Sequence, residues 1–323
     1  MKAILIHEPG GPEVLYYGDA PDPQPGNDEL LVRVRATALN RADLLQRKGS
    51  YTPPPGASPI LGLEVAGEVV QAAGDWKVGD RVMAVITGGG YAELATVPVG
   101  MAMPIPRAFT YEQAAAIPEA FLTAYLNLFT LGRLQKGETV LIHAGASGIG
   151  TAAIQLAREA GARVFVTAGT KEKCDFCQEL GAELAILYSQ ESFRERVLDA
   201  TEQRGVDVLL DFVGAPYWND NLACLATGGR LMLIGSLGGT KGELDLGAIM
   251  PKNLTITGTL LRRTPLPQKN ALTKAFVEFA LPRFERDELR PVIDRVYSLQ
   301  EAAIAHRYMA TNSNLGKIIL RVE

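Results

Sequence analysis

The chain has 323 residues, enough for two domains of ordinary size, and its 47% hydrophobic and 21% charged residues are the balance of a soluble globular protein. A net charge of −4 offers no basic footprint for nucleic acid or for an anionic membrane surface, so neither is expected as a partner. Three cysteines exclude a disulfide framework, the apolar run before His7 and Glu8 is too short for a signal peptide, and no apolar run approaches the roughly 20 residues of a spanning helix, so a cytoplasmic location is expected.

Residues 1–120 read as short β strands separated by Gly and Pro clusters such as PDPQPG and YTPPPG. LLVRVRATAL (30–39) alternates as a half-buried strand does, and LEVAGEVVQ and DRVMAVI look similar. Helical patterning begins near Tyr111 and runs around Pro118. Strands then alternate with helices, at Val140–His143, Arg163–Thr167, Leu184–Tyr188, Val206–Phe212, Arg230–Ile234 and Leu254–Leu260. That pattern predicts an α/β fold with one doubly wound, six-stranded parallel sheet over residues 121–261. The tail offers a helix around Asn270–Phe284, a strand near Val292–Tyr297, a helix from Leu299 and the closing strand KIILRV. It is expected to return to the first module, so that 1–120 and 262–323 form one discontinuous β-rich domain with a cleft toward 121–261.

The most informative stretch is VLIHAGASGIGTAAIQLAREAGARVFVTA (140–168). A buried strand leads into Gly145, Gly148 and Gly150, whose backbone can turn tightly and approach a pyrophosphate. A helix follows, and its N-terminal amides face that anion. The spacing is G-x-x-G-x-G instead of G-x-G-x-x-G, so the context of strand and helix carries the reading. The second strand ends in Ala168, Gly169 and Thr170, followed by Lys171, Glu172 and Lys173. No carboxylate stands there to accept the ribose hydroxyls of NADH, and cations with hydroxyl donors suit a 2′-phosphate. NADPH is therefore favoured. Cys174 and Cys177 form a C-x-x-C inside the next helix with no second Cys/His pair, which reads as two neighbouring thiols on a helix face.

Two common means of polarising an alcohol or ketone are missing. Residues 1–120 contain no cysteine and a single histidine, too little for a Cys/His zinc site, and no tyrosine is followed four positions later by lysine. An enzyme of this kind needs an easily reduced acceptor, a quinone or an α,β-unsaturated carbonyl, whose delocalisation stabilises the charge that follows hydride arrival.

ALNRADLLQRKGSYTPPPG, ILGLEVAGEV, AAAIPEAFLTAY, LIHAGASGIGTAAIQLA and NLGKIIL together resemble the zinc-free quinone oxidoreductases of the medium-chain dehydrogenase/reductase superfamily, the group that includes zeta-crystallin. The similarity runs along essentially the whole chain and points to the branch of the tumour-suppressor-inducible quinone oxidoreductases and their bacterial relatives. The resemblance implies a Rossmann domain beside a GroES-like catalytic domain, NADPH-dependent reduction of quinones, and a homodimer paired through TITGTLL. It places Asn40 where zinc-dependent relatives carry a metal-binding cysteine, and Leu63-Glu64 where they carry His-Glu. Asn40 and Tyr51 would be catalytic, beside the nicotinamide and the acceptor carbonyl. Thr123, Gly235, Ser236, Leu237 and Asn314 would line the nicotinamide pocket. Gly145, Ser147, Gly148, Ile149 and Gly150 would cradle the pyrophosphate, and Gly169, Thr170, Lys173 and Tyr188 the 2′-phosphate. Plainer readings stand beside these. Asn40 can cap the helix beginning RADLLQR, Tyr51 and Thr123 can be packing residues, and Glu64 can be a structural carboxylate satisfied by backbone donors. An enal or enone reductase, or a cofactor-binding protein without catalysis, remains the alternative function.

Overall fold

Apolar strands buried on both faces build the middle of the chain, as parallel sheets require. The computed structural model describes residues 1–323 and divides into two units, Thr123–Leu261 and the combination of Met1–Leu122 with Arg262–Glu323. In the first of these, six parallel strands lie in the spatial order Leu184–Leu187, Arg163–Ala168, Thr139–Ile142, Val206–Asp211, Leu225–Leu233 and Thr255–Gly258. In chain order that is 3-2-1-4-5-6, with the reversal beside Thr139–Ile142, where doubly wound sheets bind nucleotides at the strands' carboxyl ends. Leu141, Ile142, Phe165, Val166, Leu209 and Leu210 are wholly buried. The six expected strands are all present, and the sixth is shorter than expected. Cys174 and Cys177 are buried on the helix Lys171–Glu179, and burial pushes the Cys177 thiol up to about 12, so they act as small hydrophobes.

The other unit is β-rich. Its main sheet runs Ile293–Ser298, Lys317–Arg321, Glu29–Ala38, Glu64–Gln71, Arg81–Val85 and Ala102–Pro104, with Leu94–Pro98 also paired to Glu29–Ala38. The tail strand Lys317–Arg321 lies antiparallel to Glu29–Ala38, placing Leu320 opposite Thr37. Thus the last strand of the chain is stitched to the end of an early one, just before Asn40. Val32, Val34, Val65, Val82, Ile318 and Leu320 fill the core between.

The helical stretch around Pro118 is interrupted. One helix covers Tyr111–Ala115, a second starts at Pro118 and ends at Tyr125, and a π-helical turn covers Leu126–Leu131. Proline opens the second helix because its missing N–H has no partner to lose there. Residues 111–131 correct one expectation, since by length and composition this stretch is apolar enough to cross a membrane. Its residues Ile117, Phe121, Leu122 and Leu128 are instead buried against the protein.

Candidate active site

In the unit Thr123–Leu261, the turn after Thr139–Ile142 is shaped by contacts that leave no room for side chains. Ala144 takes φ +51°, and a Cβ on Gly150 would stand 2.4 Å from the Ala144 carbonyl oxygen. A Cβ on Gly145 would stand 2.7 Å from that of Val166. Ser147 caps the helix Gly148–Glu159, its Oγ accepting from the Gly150 amide at 3.0 Å. The amides of Gly148 and Ile149, with no partners inside the helix, point out of its N-terminus. A cradle closed to Cβ atoms and lined by backbone donors fits a pyrophosphate.

At the end of Arg163–Ala168, the hydroxyl of Tyr188 lies over Gly169, where a Cβ would meet it at 2.8 Å. Thr170 caps the next helix, with Oγ1 accepting from the Lys173 amide at 3.2 Å, which puts Lys173 in the first turn. Lys171 pairs with Asp175 instead. Gly169, Thr170, Lys173 and Tyr188 therefore lie together where the strand ends, with Glu172 the acidic residue of the helix's first turn. Gly235, Ser236 and Leu237 form a loop after Leu225–Leu233, with Leu237 60% exposed. The Gly235 amide donates to Asp211 O at 3.2 Å and that of Leu237 to Phe212 O at 3.0 Å. Thr123 is buried, its carbonyl held by Asn127 Nδ2 at 2.8 Å.

In the β-rich unit, Asn40 directly precedes the helix Arg41–Arg47, and its backbone amide donates to Asp43 Oδ2 at 2.7 Å. Its carboxamide is held at both ends. Oδ1 accepts from Lys317 Nζ at 2.7 Å, and Nδ2 donates to Glu64 Oε1 at 2.8 Å. Lys317 Nζ also reaches Glu64 Oε1 at 2.7 Å and the Leu39 carbonyl at 2.9 Å. The remaining Glu64 oxygen accepts from the Glu119 amide at 2.8 Å. Glu64 is thus satisfied by one backbone donor and two side chains, not by backbone donors alone as expected. Asn314, in the turn before Lys317–Arg321, donates to Gly316 O at 2.7 Å.

More charge surrounds this triad. Asp43 accepts from the Gly62 amide at 3.1 Å, and burial pushes its carboxyl up to about 6. Glu119, in the first turn of Pro118–Tyr125, is pushed up to about 8 by burial and by the charge of Glu64. Arg262 lies over the ring of Tyr51 at 5.2 Å, and donates to Gln46 Oε1 at 2.8 Å and the Thr87 carbonyl at 2.9 Å. Burial raises the Tyr51 hydroxyl's pKa, and the Arg262 charge opposes that. Asn40 and Tyr51 are joined indirectly, through Gln46 of the helix that Asn40 precedes. Lys317, Arg262, Asp43 and Glu119 were not singled out from the sequence. One signal was available, a lysine inside the apolar run NLGKIIL.

The GroES-like domain of alcohol dehydrogenases matches residues 26–107, and the zinc-binding dehydrogenase domain matches 148–279. A quinone oxidoreductase of Pseudomonas aeruginosa is 36% identical, covering 99% of both chains. This chain belongs to the quinone oxidoreductase branch of the medium-chain dehydrogenase/reductase superfamily. The human quinone oxidoreductase is 31% identical over 99% of this chain and 97% of its own. The crystal structure of Escherichia coli quinone oxidoreductase with NADPH superposes with a TM-score of 0.88 at 29% identity, covering 99% of this chain and 100% of that one. A mycobacterial protein crystallised with NADPH gives 0.88 at 32%, covering 99% of each. The family member described here is an NADPH-dependent oxidoreductase.

Proposed function

We propose that this oxidoreductase reduces quinones, and does so without a metal. The observation that carries the reading is the Lys317 ammonium, 2.7 Å from both Asn40 Oδ1 and Glu64 Oε1. These are the side chains that stand in place of metal-site residues in zinc-dependent relatives. Here their oxygens already face a cation, and no His or Cys joins them. A carboxamide and a carboxylate already paired to an ammonium do not fit zinc, which takes imidazole, thiolate and unpaired carboxylate donors.

NADPH, when bound, supplies the hydride. In this reading Gly148 and Ile149 hold the pyrophosphate, and Gly169, Thr170, Lys173 and Tyr188 hold the 2′-phosphate. Gly145, Ser147 and Gly150 shape that cradle, and Gly235, Ser236, Leu237, Thr123 and Asn314 are read toward the nicotinamide. Asn40 and Tyr51 are the groups that address the acceptor. Lys317 and Glu64 fix the carboxamide plane of Asn40, whose second Nδ2 hydrogen meets the Ala38 carbonyl at only 3.4 Å and is the one that would turn to an acceptor carbonyl. The Tyr51 hydroxyl, kept protonated, is a second donor. Such donors suffice for a quinone because the developing negative charge spreads into an aromatic ring, and a proton from water completes the hydroquinone. A simple ketone leaves that charge on one oxygen, and this site carries no Lewis acid to meet it.

Steady-state assays with 1,4-benzoquinone, an ortho-quinone, an enone and cyclohexanone test the reading. Turnover of both quinones with none of cyclohexanone is expected, and activity survives dialysis against a chelator. Reaction with the enone alone would make the protein an enone reductase, with Tyr51 as its donor. A homodimer is also proposed, supported by the uncovered edge strand Thr255–Gly258 near Met250, 75% exposed, and Leu246, 63% exposed. Sedimentation of L246D/M250D as a monomer, against a dimer for the native chain, checks it.

A further inference from the structure

Beneath the nucleotide turn lies a row of buried polar side chains that neither the phosphate cradle nor the acceptor groups use. His143, Asn221 and Asp211 are 0% exposed and Thr167 is 1% exposed. His143 Nδ1 is 3.0 Å from Thr167 Oγ1, and Nε2 is 2.8 Å from Asn221 Oδ1. Asn221 Nδ2 donates to Asp211 Oδ2 at 3.1 Å, while Asp211 Oδ1 accepts from the amides of Val213 at 2.7 Å and Gly214 at 3.0 Å.

Only one arrangement of protons satisfies this row. The Asp211 carboxylate accepts, so Asn221 must turn its NH2 toward it and its oxygen toward the imidazole. Nε2 of His143 then carries the proton, and Nδ1 accepts from the Thr167 hydroxyl. Phe193 and Tyr217 stand edge-on to the imidazole, with ring centroids 5.0 and 4.9 Å away. No water path is needed to complete the bonding.

The ends of the row are the two halves of the cofactor site. At one end, the Thr167 carbonyl accepts from the Gly145 amide at 2.9 Å and so anchors the phosphate turn. At the other, the segment 211–215 shaped by the Asp211 carboxylate supports the loop 235–239. Besides the Gly235 and Leu237 bonds, Gly238 donates to Val213 O at 2.9 Å, and Ala215 donates to Gly239 O at 3.0 Å. Gly214, at φ +87°, fits against Gly239 O, where a Cβ would stand 2.6 Å away.

We propose that His143 is a positioning residue of the cofactor site, a neutral imidazole that fixes loop 235–239 relative to the phosphate turn through Thr167 on one side and Asn221–Asp211 on the other. The inference rests on the reading of Gly235–Leu237 as the nicotinamide end. His143 touches no cofactor atom. It sets where the loop can meet one, so its loss acts on the nicotinamide half of binding and spares the adenosine half.

The test compares dissociation constants for NADPH and for 2′,5′-ADP, which occupies only the adenosine half. In His143→Phe and Asn221→Leu, NADPH binding is expected to weaken about tenfold, the scale of one or two lost buried hydrogen bonds, with 2′,5′-ADP within twofold of the native chain. His143→Gln keeps a donor near the Nε2 position and restores most of the NADPH affinity. Thr167→Val preserves volume and folding and moves NADPH in the same direction by less. Nitrogen-15 shifts of His143 in the native chain report a neutral ring protonated at Nε2. Native NADPH affinity in His143→Phe and Thr167→Val overturns the proposal, and so does an equal loss of NADPH and 2′,5′-ADP, which would mark a purely structural role. Ser236→Phe, at an exposed position, tests the underlying reading separately. Unchanged NADPH affinity there rejects the loop as the nicotinamide end, whatever His143→Phe does.

Discussion

The two units solve their polar problems in different ways. The β-rich unit buries titratable side chains together, with Glu64 and Asp43 set near Lys317, Arg262 and Lys269 and the half-buried, protonated Glu119 beside them. The unit Thr123–Leu261 presents backbone amides at the proposed cofactor turn and buries a nearly neutral row in which Asp211 is the one carboxylate. An anion such as a pyrophosphate is held well by fixed dipoles at a helix start, which cost little to bury. An acceptor that gains charge during reaction is helped by oriented donors, and orienting them takes the rigid partners that a buried ion pair supplies.

The largest expected effect breaks the ion pair. Lys317→Met leaves Glu64 buried without its cation, a loss of about 3–5 kcal/mol in denaturant unfolding. The double variant E64Q/K317M removes both charges and should recover a good part of that. If Lys317→Met unfolds like the native chain, the charge cluster is not structural and the contrast between the units fails.

A smaller effect sharpens the other side. Lys173→Ala should narrow the preference for NADPH over NADH by roughly tenfold to a hundredfold, about 1.5–3 kcal/mol for a charge-assisted phosphate contact. NADH affinity stays near native, as measured by quenching titrations. Equal native dissociation constants for the two cofactors would contradict the assignment of this corner.

Next come the acceptor groups. Tyr51→Phe and Asn40→Ala each remove one donor, lowering kcat/KM for 1,4-benzoquinone by about 1–3 kcal/mol, a fivefold to hundredfold fall, with NADPH affinity unchanged. Complete inactivation by either would point to proton transfer instead of polarisation.

The last contrast lies in the sign of a pH slope. His143 is held neutral by burial, with its pKa lowered to about 4, so its contribution is full above the unfolded value near 6.5 and is lost as pH falls through about 4. His306 in the β-rich unit, lowered to about 3, adds to that acid limb. Asp43 and Glu119 have raised values, about 6 and about 8, so their contribution is present in acid and is lost as pH rises through those values. Melting temperatures across pH 4–9 should show His143→Gln flattening the acid limb and Glu119→Gln the alkaline one. The reverse assignment would place the buried charge in the wrong unit.

Much of the fold was legible because its signals are local. Buried apolar strands such as Val140–Ile142, alternating with helices, define a parallel sheet, and the glycines at 145, 148 and 150 sit at the tight junction between the first of those strands and its helix. The proposed phosphate corner could be read for the same reason, since Gly169, Thr170 and Lys173 are consecutive or nearly so. Lys317 was not legible, although it stood in a quoted motif. An ammonium in an apolar strand has meaning only when its partners are known, and Asn40 and Glu64 lie 277 and 253 residues away along the chain. His143 was equally silent, because Thr167, Asn221 and Asp211 converge on it from separate strands and a helix.

By itself the sequence determined the alternation of strands and helices, the glycine turn, the absence of cysteine and the near absence of histidine from residues 1–120, and the lack of an acid at the second strand's end. Each of these is a property of neighbouring residues, set by periodicity, backbone freedom or composition. Only the tertiary structure decided what Asn40 faces, which cation neutralises Glu64, why Glu119 holds its proton, and which nitrogen of His143 carries one. These depend on burial and on hydrogen-bond partners brought from distant parts of the chain. Desolvation and pairing energies come into being only when the sheet register sets Lys317–Arg321 beside Glu29–Ala38.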